Sequence, residues 1–432
     1  MKHKKTMIFL YLFYILYMPR FFKSESLIFS NYAISISLMC IMIFPYLIKV
    51  DTKFFKMLTN KKIVVLIGGI CLSAAYFAIR ATFKEITDLE NLRIVQNSMP
   101  IIYILHILII IDKLKKMGFN IDDGIEFLLK IAAFQGIICV IMLLIPSLKD
   151  IAEKLYLNCT STFSEGDYIL TTRIYGISSD YTFGLPIIHG ILSGICFYLA
   201  ILKDKKYFMY FPFIIAVSIL NGRTGVLVAI ISIFISVMYY IVKCQKIVKL
   251  TYILFGTIIM VSIFSIAIYM LNSNVLSFIS ILLKELTTFI MYGEKTGTIE
   301  YLLETNFYLP EGMSLIFGEG HRVYGKTATI YGYEATDVGY VNDIFMGGII
   351  YISILYGAFT KFIFSKTRKK HVFLIKILIF IGLIIANLKG QIFVNSTFMT
   401  FILLIICMYI FLEERENDDG TRNLSICNNV SI

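Results

Sequence analysis

A single arginine, Arg223, interrupts a run from Phe208 to Ile241 that contains no other charged residue, in the stretch SILNGRTGV. The Asn-Gly pair just before it is a strong turn signal, so we expect the chain to reverse there. A guanidinium suits phosphate because it donates two parallel hydrogen bonds and stays charged when partly desolvated. One interpretation is a phosphate-binding arginine at the end of an apolar segment. A side chain that merely reaches toward lipid headgroups is the alternative.

A second arginine, Arg173, lies in TTRIYGISSDYTFGLP, just before the apolar run that begins near residue 182. It would bring a second guanidinium to the same ligand, with Tyr181 stacked on a sugar ring. In the alternative interpretation, Asp180 caps the N-terminus of the following helix and Arg173 is a solvated loop residue.

A third polar region, LIFGEGHRVYGKTATIYGYEATDVGYVNDIF, interleaves glycines with tyrosines and basic residues. Glycines let the backbone approach a ligand closely, and tyrosines offer flat faces and hydroxyls to sugars. His321 is a candidate general base near neutral pH, and Arg322 is a further cation. The alternative is an irregular loop whose tyrosines lie at the membrane interface and whose Asp337 caps the next helix. The residues assigned to sugar binding or to shaping the loops are Asp180, Tyr181, Tyr324, Asp337 and Tyr340.

The composition places these residues in a membrane protein. The chain of 432 residues is 58% hydrophobic and 16% charged, whereas soluble domains carry about 25% charged residues. Despite a net charge of +11, the basic residues punctuate the apolar segments instead of clustering, which argues against a nucleic-acid partner. The eight cysteines lack metal-ligand or disulfide spacing. Because the outer loops also lack an Asp/Glu cluster, we predict no metal and no cofactor.

Apolar segments long enough to cross about 30 Å of hydrocarbon recur along the chain. They predict an all-α polytopic fold in a single domain, residues 1–432. The run from Phe208 to Ile241 would be about 51 Å long as one helix, so it must fold back as two spans. The twelve predicted spans cover residues 6–22, 27–48, 63–80, 94–111, 125–146, 182–202, 207–221, 224–242, 250–271, 339–364, 372–388 and 391–412.

Basic residues flank the spans unequally, and the side with most of the lysines is expected to be cytoplasmic. Both termini then lie in the cytoplasm, including a tail at 413–432, and the first span is retained rather than cleaved. Two long loops lie on the other side, at 147–181 between spans five and six and at 272–338 between spans nine and ten. We expect interfacial helices in these loops, above all in the amphipathic stretches VLSFISILLKELTTFI and TIEYLLETNFYL of the second.

Ionisable residues inside spans are functional candidates by default. For His106 and His189 we predict interhelical hydrogen bonds instead. For Lys130, Asp343 and Lys376 we predict positions near the ends of their spans.

In their order and sidedness, the three polar patches resemble the O-antigen polymerase family (Wzy type) and its relatives, the O-antigen ligases. The resemblance rests on an arginine and a Ser-Asp turn entering span six, on NGRTG opening span eight, and on GEGHRVYG and TDVGYVND before span ten. The two long loops, third and fifth on the outer side, correspond to the large loops of that family. The similarity covers most of the chain in topology and three short patches in residues.

The resemblance implies an enzyme of the bacterial inner membrane whose active site faces the periplasm. Its substrates would be polyprenyl-diphosphate-linked oligosaccharide repeat units, and it would transfer the growing glycan to a sugar hydroxyl of the next unit. Arg173, Arg223 and Arg322 would bind the diphosphate, and His321 would correspond to a histidine that ligases of the superfamily use. A chain-length regulator protein would be a further partner. An O-antigen ligase and a flippase for the same lipid-linked unit stay open as alternatives.

Overall fold

The computed structural model describes residues 2–19, 31–82, 88–157, 173–178, 184–244, 306–366, 372–393 and 396–412, with scattered positions between 251 and 300. These residues form α-helices and one short 3-10 helix, and no β-strand occurs among them. The predicted all-α class is therefore confirmed for the described part of the chain.

The helices alternate with short connections through most of the chain. Those before the second long loop are α1 (Lys2–Tyr17), α2 (Asn31–Ile48), α3 (Thr52–Leu58), α4 (Lys61–Thr82), α5 (Asp88–Lys116), α6 (Ile121–Leu144), α7 (Pro146–Leu157), α8 (Gly184–Leu202), α9 (Phe211–Asn221) and α10 (Arg223–Cys244). The 3-10 helix, Lys205–Met209, precedes α9. The later helices are α11 (Met313–Phe317), α12 (Lys326–Ile330), α13 (Gly339–Ile363), α14 (Val372–Asn387) and α15 (Thr397–Phe411).

Within the described residues, six helices are long and apolar enough to cross a membrane: α4, α5 from Gln96 onward, α6, α8, α10 as far as Val242, and α13. Shorter apolar helices lie within α2, α14 and α15. The described part of the chain is therefore all-helical, and its long apolar helices indicate a membrane protein with several spans. The predicted span at 250–271 falls almost wholly outside the described residues, and the total of twelve crossings stays a prediction.

Helix α8 lies at the centre of the bundle, with almost every residue from Gly184 to Ile201 buried. It packs against α10 through small residues. A Cβ on Gly190 would lie 2.6 Å from the carbonyl oxygen of Gly225, and one on Gly194 would lie 2.3 Å from the Cβ of Ser232. Without a hydrophobic force between helices in lipid, such close backbone approach is a main source of helix association. These contacts hold the first turn of α10 in a fixed position.

The two histidines within the spans join helices, as predicted. His106 shares hydrogen bonds with the Tyr11 hydroxyl at 2.5 Å and the Ser35 hydroxyl at 3.2 Å. His189 shares one with the Tyr17 hydroxyl at 3.0 Å. Each contact links elements distant in sequence, so these imidazoles have structural partners inside the bundle.

Basic residues mark two opposite edges of the helix bundle. One, here called the lysine edge, carries polar contacts that join Lys116 to Asp51 at 2.8 Å, Lys206 to Glu126 at 2.8 Å, Lys203 to Asp122, and the Lys62 ammonium to the Lys366 carbonyl at 2.8 Å. The other, here called the arginine edge, carries Arg80 at the opposite end of α4 from Lys62, Arg223 at the start of α10, and Arg173 in the segment before α8. The predicted separation of the basic residues thus corresponds to the two edges. Which edge faces the cytoplasm stays a prediction.

The other ionisable residues predicted within spans are Asp343, Lys376 and Lys130. Asp343 and Lys376 lie within the first five residues of α13 and α14, near helix ends as predicted. Lys130 lies nine residues beyond the start of α6 and pairs with Glu126 at 2.8 Å, the carboxylate that also pairs with Lys206 on the lysine edge. Its position near the end of the membrane span stays a prediction.

The long loops contain helices, although not all of those predicted. Helix α7 lies in the first loop, and α11 and α12 lie in the second. Described positions of VLSFISILLKELTTFI are helical, including 287–290. The end of TIEYLLETNFYL, residues 306–309, is not helical. The expected interfacial helix is wrong there because the segment joins the folded loop instead, with the Asn306 carbonyl accepting a hydrogen bond from Thr336 at 2.9 Å. The tail at 413–432 lies outside the described residues.

Candidate functional site

The structure brings Arg173 and Arg223 to the same place on the arginine edge. The main chain beside Arg173 is fastened to the end of α9: the Ile174 amide donates to the Leu220 carbonyl at 3.3 Å, and the Asn221 amide group donates to the Ile174 carbonyl at 2.7 Å. The Asn221 side chain is fully buried and also donates to the carbonyl of Val217 at 2.9 Å. This residue, first noted as a turn signal, therefore joins the two segments that carry the arginines.

The turn at Asn221-Gly222 ends α9, and Arg223 is the first residue of α10, so the predicted chain reversal is confirmed. The start of α10 is pressed against the start of α8. A Cβ on Gly225 would lie 2.6 Å from the Pro186 carbonyl oxygen, which also accepts a hydrogen bond from Ser218 at 3.0 Å. A larger residue at 225 would push Arg223 away from Arg173.

The guanidinium of Arg223 faces a carboxylate. Its Nη1 lies 3.5 Å from Oε1 of Glu285, and the Glu285 residue is only 8% exposed. About a third of the Arg223 side chain is exposed, at 34%. Arg223 is therefore accessible from the edge of the bundle while it is held by an acidic partner.

A lysine that the sequence did not single out, Lys389, lies in the same group. It follows α14 in a turn whose backbone is packed against the start of α13: a Cβ on Gly339 would lie 2.5 Å from the Gly390 carbonyl oxygen. Asp337 lies just ahead of Gly339, so the turn places Lys389 beside it. The available sequence signal was a lone lysine in a short connection on the side poor in lysine.

Electrostatic effects on Lys389 show which charges surround it. Burial lowers the pKa of Lys389 most, Asp337 opposes that change, and Arg223 and Arg173 lower the pKa further, with a weaker opposing effect from Glu285. Geometry agrees, because α14, which ends just before Lys389, packs on α8 beside the start of α10: a Cβ on Gly382 would lie 2.3 Å from Ile191. Two arginines and two carboxylates from four other segments therefore lie close enough to act on Lys389. We call these five residues the charged cluster.

The loop between 306 and 338 folds into a compact unit that carries His321. The imidazole is 1% exposed and is stacked on Tyr331 with ring centroids 3.7 Å apart. Its Nε2 lies 3.9 Å from a carboxylate oxygen of Glu319, whose other oxygen accepts a hydrogen bond from Tyr333 at 3.0 Å. Burial, followed by that hydrogen bond to Glu319, raises the pKa of Tyr333, in keeping with a hydroxyl that donates. The ring of Tyr331 covers the predicted general base.

Arg322 is held on this folded loop. Its guanidinium lies over the Tyr324 ring, 5.4 Å from the centroid. The next residue, Val323, is fixed to Asn342 and Thr336 by hydrogen bonds of 3.1 and 2.8 Å. Thr336 immediately precedes Asp337, so the loop unit reaches the charged cluster through Asp337.

A break in α13 seats the loop unit on the helix bundle. Gly348 has φ 65° and ψ −164° inside the helix, and a Cβ there would lie 2.2 Å from the Ile316 carbonyl oxygen. The break leaves the Phe345 carbonyl to accept from the Glu319 amide at 2.6 Å. Arg80 at the end of α4 completes the seat by donating to the Gly318 carbonyl at 2.6 Å.

A polar network beneath the cluster fixes the turn that carries Lys389. Asp343, 1% exposed, accepts hydrogen bonds from Tyr356 at 2.5 Å and from Gln391 at 2.6 Å. Asn387 donates to the Tyr356 hydroxyl in turn. The Tyr340 hydroxyl, predicted to bind sugar, donates to the Ile384 carbonyl at 3.1 Å and so ties α13 to α14.

The remaining site predictions meet different outcomes. Asp337 does not cap α13, whose N-cap is Val338 without a side-chain hydrogen bond; the alternative interpretation of that residue as a cap was therefore wrong. Asp180 and Tyr181 lie outside the described residues. Among the residues described, no group of three His, Cys, Asp or Glu side chains is placed to hold a metal ion, and a metal-independent reaction stays a prediction.

Comparison with known proteins adds no assignment. No protein-family model, no curated protein and no solved structure matches this chain. The resemblance to O-antigen polymerases therefore continues to rest on the three sequence patches.

Proposed function

We propose that this protein is a membrane-embedded glycosyltransferase that polymerises polyprenyl-diphosphate-linked repeat units of a bacterial surface polysaccharide. One observation carries the proposal: Arg173 and Arg223, from segments far apart in sequence, converge at one edge of an apolar helix bundle. A ligand bound there could place a charged diphosphate on the arginines while its hydrocarbon tail remained in the bilayer. The folded loop with its tyrosines adjoins that edge and would receive the sugars.

The chemistry requires stabilisation of a leaving group. The hydroxyl of the incoming unit attacks the anomeric carbon of the growing chain, the bond between that carbon and the phosphate oxygen breaks, and polyprenyl diphosphate leaves with the bonding electrons. Guanidiniums placed in advance at the diphosphate stabilise the charge that develops. The hydroxyl proton must pass to a base, for which His321 is the candidate. Glu319 at 3.9 Å would stabilise the imidazolium that results.

His321 needs access to act in this way. Tyr331 is stacked on its ring, so the proposal includes movement of Tyr331 when the acceptor sugar binds. Replacement of Tyr331 by leucine would remove the stacked ring and leave His321 in place. A base role predicts altered polymerisation in that variant without loss of the protein from the membrane.

The experiment that tests the function is the length distribution of surface polysaccharide, resolved on a gel, in a strain that lacks this gene. A ladder that collapses to a single repeat unit on its acceptor means that export and ligation are intact and that polymerisation is missing. If no repeat unit reaches the surface, polymerisation is not the missing step and the proposal fails. Restoration of the ladder by the wild-type gene is the control.

A flippase for the same lipid-linked unit is the second candidate, favoured by the interruption of α13 at Gly348. Transporters often use discontinuous helices around their binding sites. In this chain the break receives backbone from residues 316–318 instead of opening on a cavity. The gel separates the two functions, because loss of a flippase removes the repeat unit from the surface altogether.

A further inference from the structure

We propose that Lys389 is the third cation of the diphosphate site and that Glu285 and Asp337 are counter-ions that a bound diphosphate displaces. This inference rests on the proposed function. It adds an anion ligand, Lys389, and two counter-ions, Glu285 and Asp337, which the sequence did not predict in these roles. Its basis is the arrangement of the charged cluster on the arginine edge.

The position of Lys389 is set by the turn that carries it. The turn at 387–391 is locked against the start of α13 by the close approach of Gly339 to Gly390, at 2.5 Å for a Cβ, and by the hydrogen bond from Gln391 to Asp343. The side chain of Lys389 is half-buried. Because the main chain at Lys389 is fixed in this way, binding of an anion does not have to order the turn, which lowers the entropic cost of binding.

The formal charges of the charged cluster do not cancel. Arg173 and Arg223 are offset by Glu285 and Asp337, so those four residues together carry no net charge. Lys389 makes three cations against two carboxylates, a net charge of plus one. A diphosphate diester carries two negative charges, and without Lys389 it would meet no net attraction. Each of the three cations is therefore needed for a net positive charge, and Lys389 is the one without an assigned role in binding the diphosphate.

The two carboxylates of the charged cluster are counter-ions of its cations. Glu285 lies 3.5 Å from Arg223, and Asp337 acts on Lys389 with the opposite sign to the arginines. Cations crowded at a low-dielectric edge repel one another unless anions separate them. The carboxylates supply that separation, and a diphosphate bound at Arg223 would replace Glu285 there. Removal of the Glu285 charge should then strengthen diphosphate binding.

Binding measurements on the full-length protein in phospholipid nanodiscs test the inference, with radiolabelled farnesyl diphosphate as the probe and farnesol as the uncharged comparison. Lys389→Gln should weaken farnesyl diphosphate binding by about tenfold, the loss expected for one charge-assisted hydrogen bond. Lys389→Arg should keep most of the affinity, and farnesol binding should not change. The matched control is Lys366→Gln, an exposed lysine after α13 on the lysine edge, which should leave both probes unaffected.

Glu285→Gln provides an arm that misfolding cannot imitate, because the expected result is a gain in affinity for farnesyl diphosphate. If Lys389→Gln binds farnesyl diphosphate as tightly as the wild type, the role of Lys389 is refuted while the diphosphate site itself stands. If Lys389→Gln loses farnesol binding as well, its loss of farnesyl diphosphate binding is not specific to the charge, and Glu285→Gln becomes the deciding variant. The inference is then refuted if Glu285→Gln shows no gain in affinity for farnesyl diphosphate. Failure of the wild type to bind farnesyl diphosphate overturns the proposed function together with this extension of it.

Discussion

Exchange of Arg223 for lysine keeps the positive charge at the start of α10 and removes the fork of the guanidinium. If Arg223 binds the diphosphate, Arg223→Lys should polymerise more slowly although the protein folds. If residue 223 merely supplied a positive charge at the membrane edge, lysine would support polymerisation as well as arginine does. The substitution therefore separates specific recognition of phosphate from general electrostatic attraction.

The structure sets the size of the effect. A hydrogen bond to a charged group contributes about 1.5–3 kcal/mol, and the 34% exposure of the Arg223 side chain favours the lower end of that range. Loss of one such bond, about 1.5 kcal/mol, corresponds to a decrease of about tenfold in kcat/KM. The ion pair with Glu285 has a single contact at 3.5 Å and is partly exposed, so weakening it should cost less than about 1 kcal/mol in stability.

The assay is polymerisation by membranes that contain equal amounts of each variant, with purified lipid-linked repeat units as substrate. Initial rates of chain extension give kcat/KM directly. Lys206→Arg, a charge-conserving exchange at the Glu126 pair on the lysine edge, is the control and should be active at the wild-type rate. A wild-type rate for Arg223→Lys would refute phosphate recognition by Arg223.

Three further predictions concern sidedness, pH and the loop seat. Cys159 should react with a membrane-impermeant thiol reagent in intact spheroplasts and Cys244 should not; the reverse labelling pattern would invert the topology. Because burial lowers the pKa of Lys389 from 10.5, and lysine is charged only below its pKa, farnesyl diphosphate binding should fall as pH rises through that lowered value. Lys389→Arg should extend binding to higher pH, and identical pH profiles would contradict a role for the Lys389 charge. Gly348→Ala should lower the Tm of the purified protein, since its positive φ alone costs about 1–2 kcal/mol and the new Cβ would meet a carbonyl of α11 at 2.2 Å. Gly357→Ala in the same helix meets nothing within 4 Å and should be stable; equal Tm values for the two would show that the break tolerates a side chain.

Much of the helical arrangement was predictable because a membrane leaves an apolar chain few choices. Backbone groups in lipid must bond within the segment, so long apolar runs become helices. Asn221-Gly222 could be identified as a turn because the run around it was too long for one helix. His106 and His189 could be predicted to join helices because an imidazole in an apolar segment needs a partner.

The candidate site was predictable only in part. The sequence identified Arg173 and Arg223 as cations suited to phosphate, but nothing in their spacing shows that Asn221 fastens one segment to the other. Lys389 was not singled out because a lone lysine in a short turn resembles any solvated residue. Its significance depends on the contact between Gly339 and Gly390, which joins two connections far apart in sequence.

Composition, periodicity and turn chemistry by themselves determined that the described part of the chain is all-helical, that it belongs to a membrane protein, and that its basic residues are divided between two edges of the helix bundle. Those features follow from local backbone geometry and from the cost of burying charge in lipid. Tertiary structure decided which polar residues meet. It closed Tyr331 over His321, and it broke α13 at Gly348 to admit the loop. Both outcomes depend on how side chains and backbone from distant segments pack together. No short stretch of sequence specifies that packing.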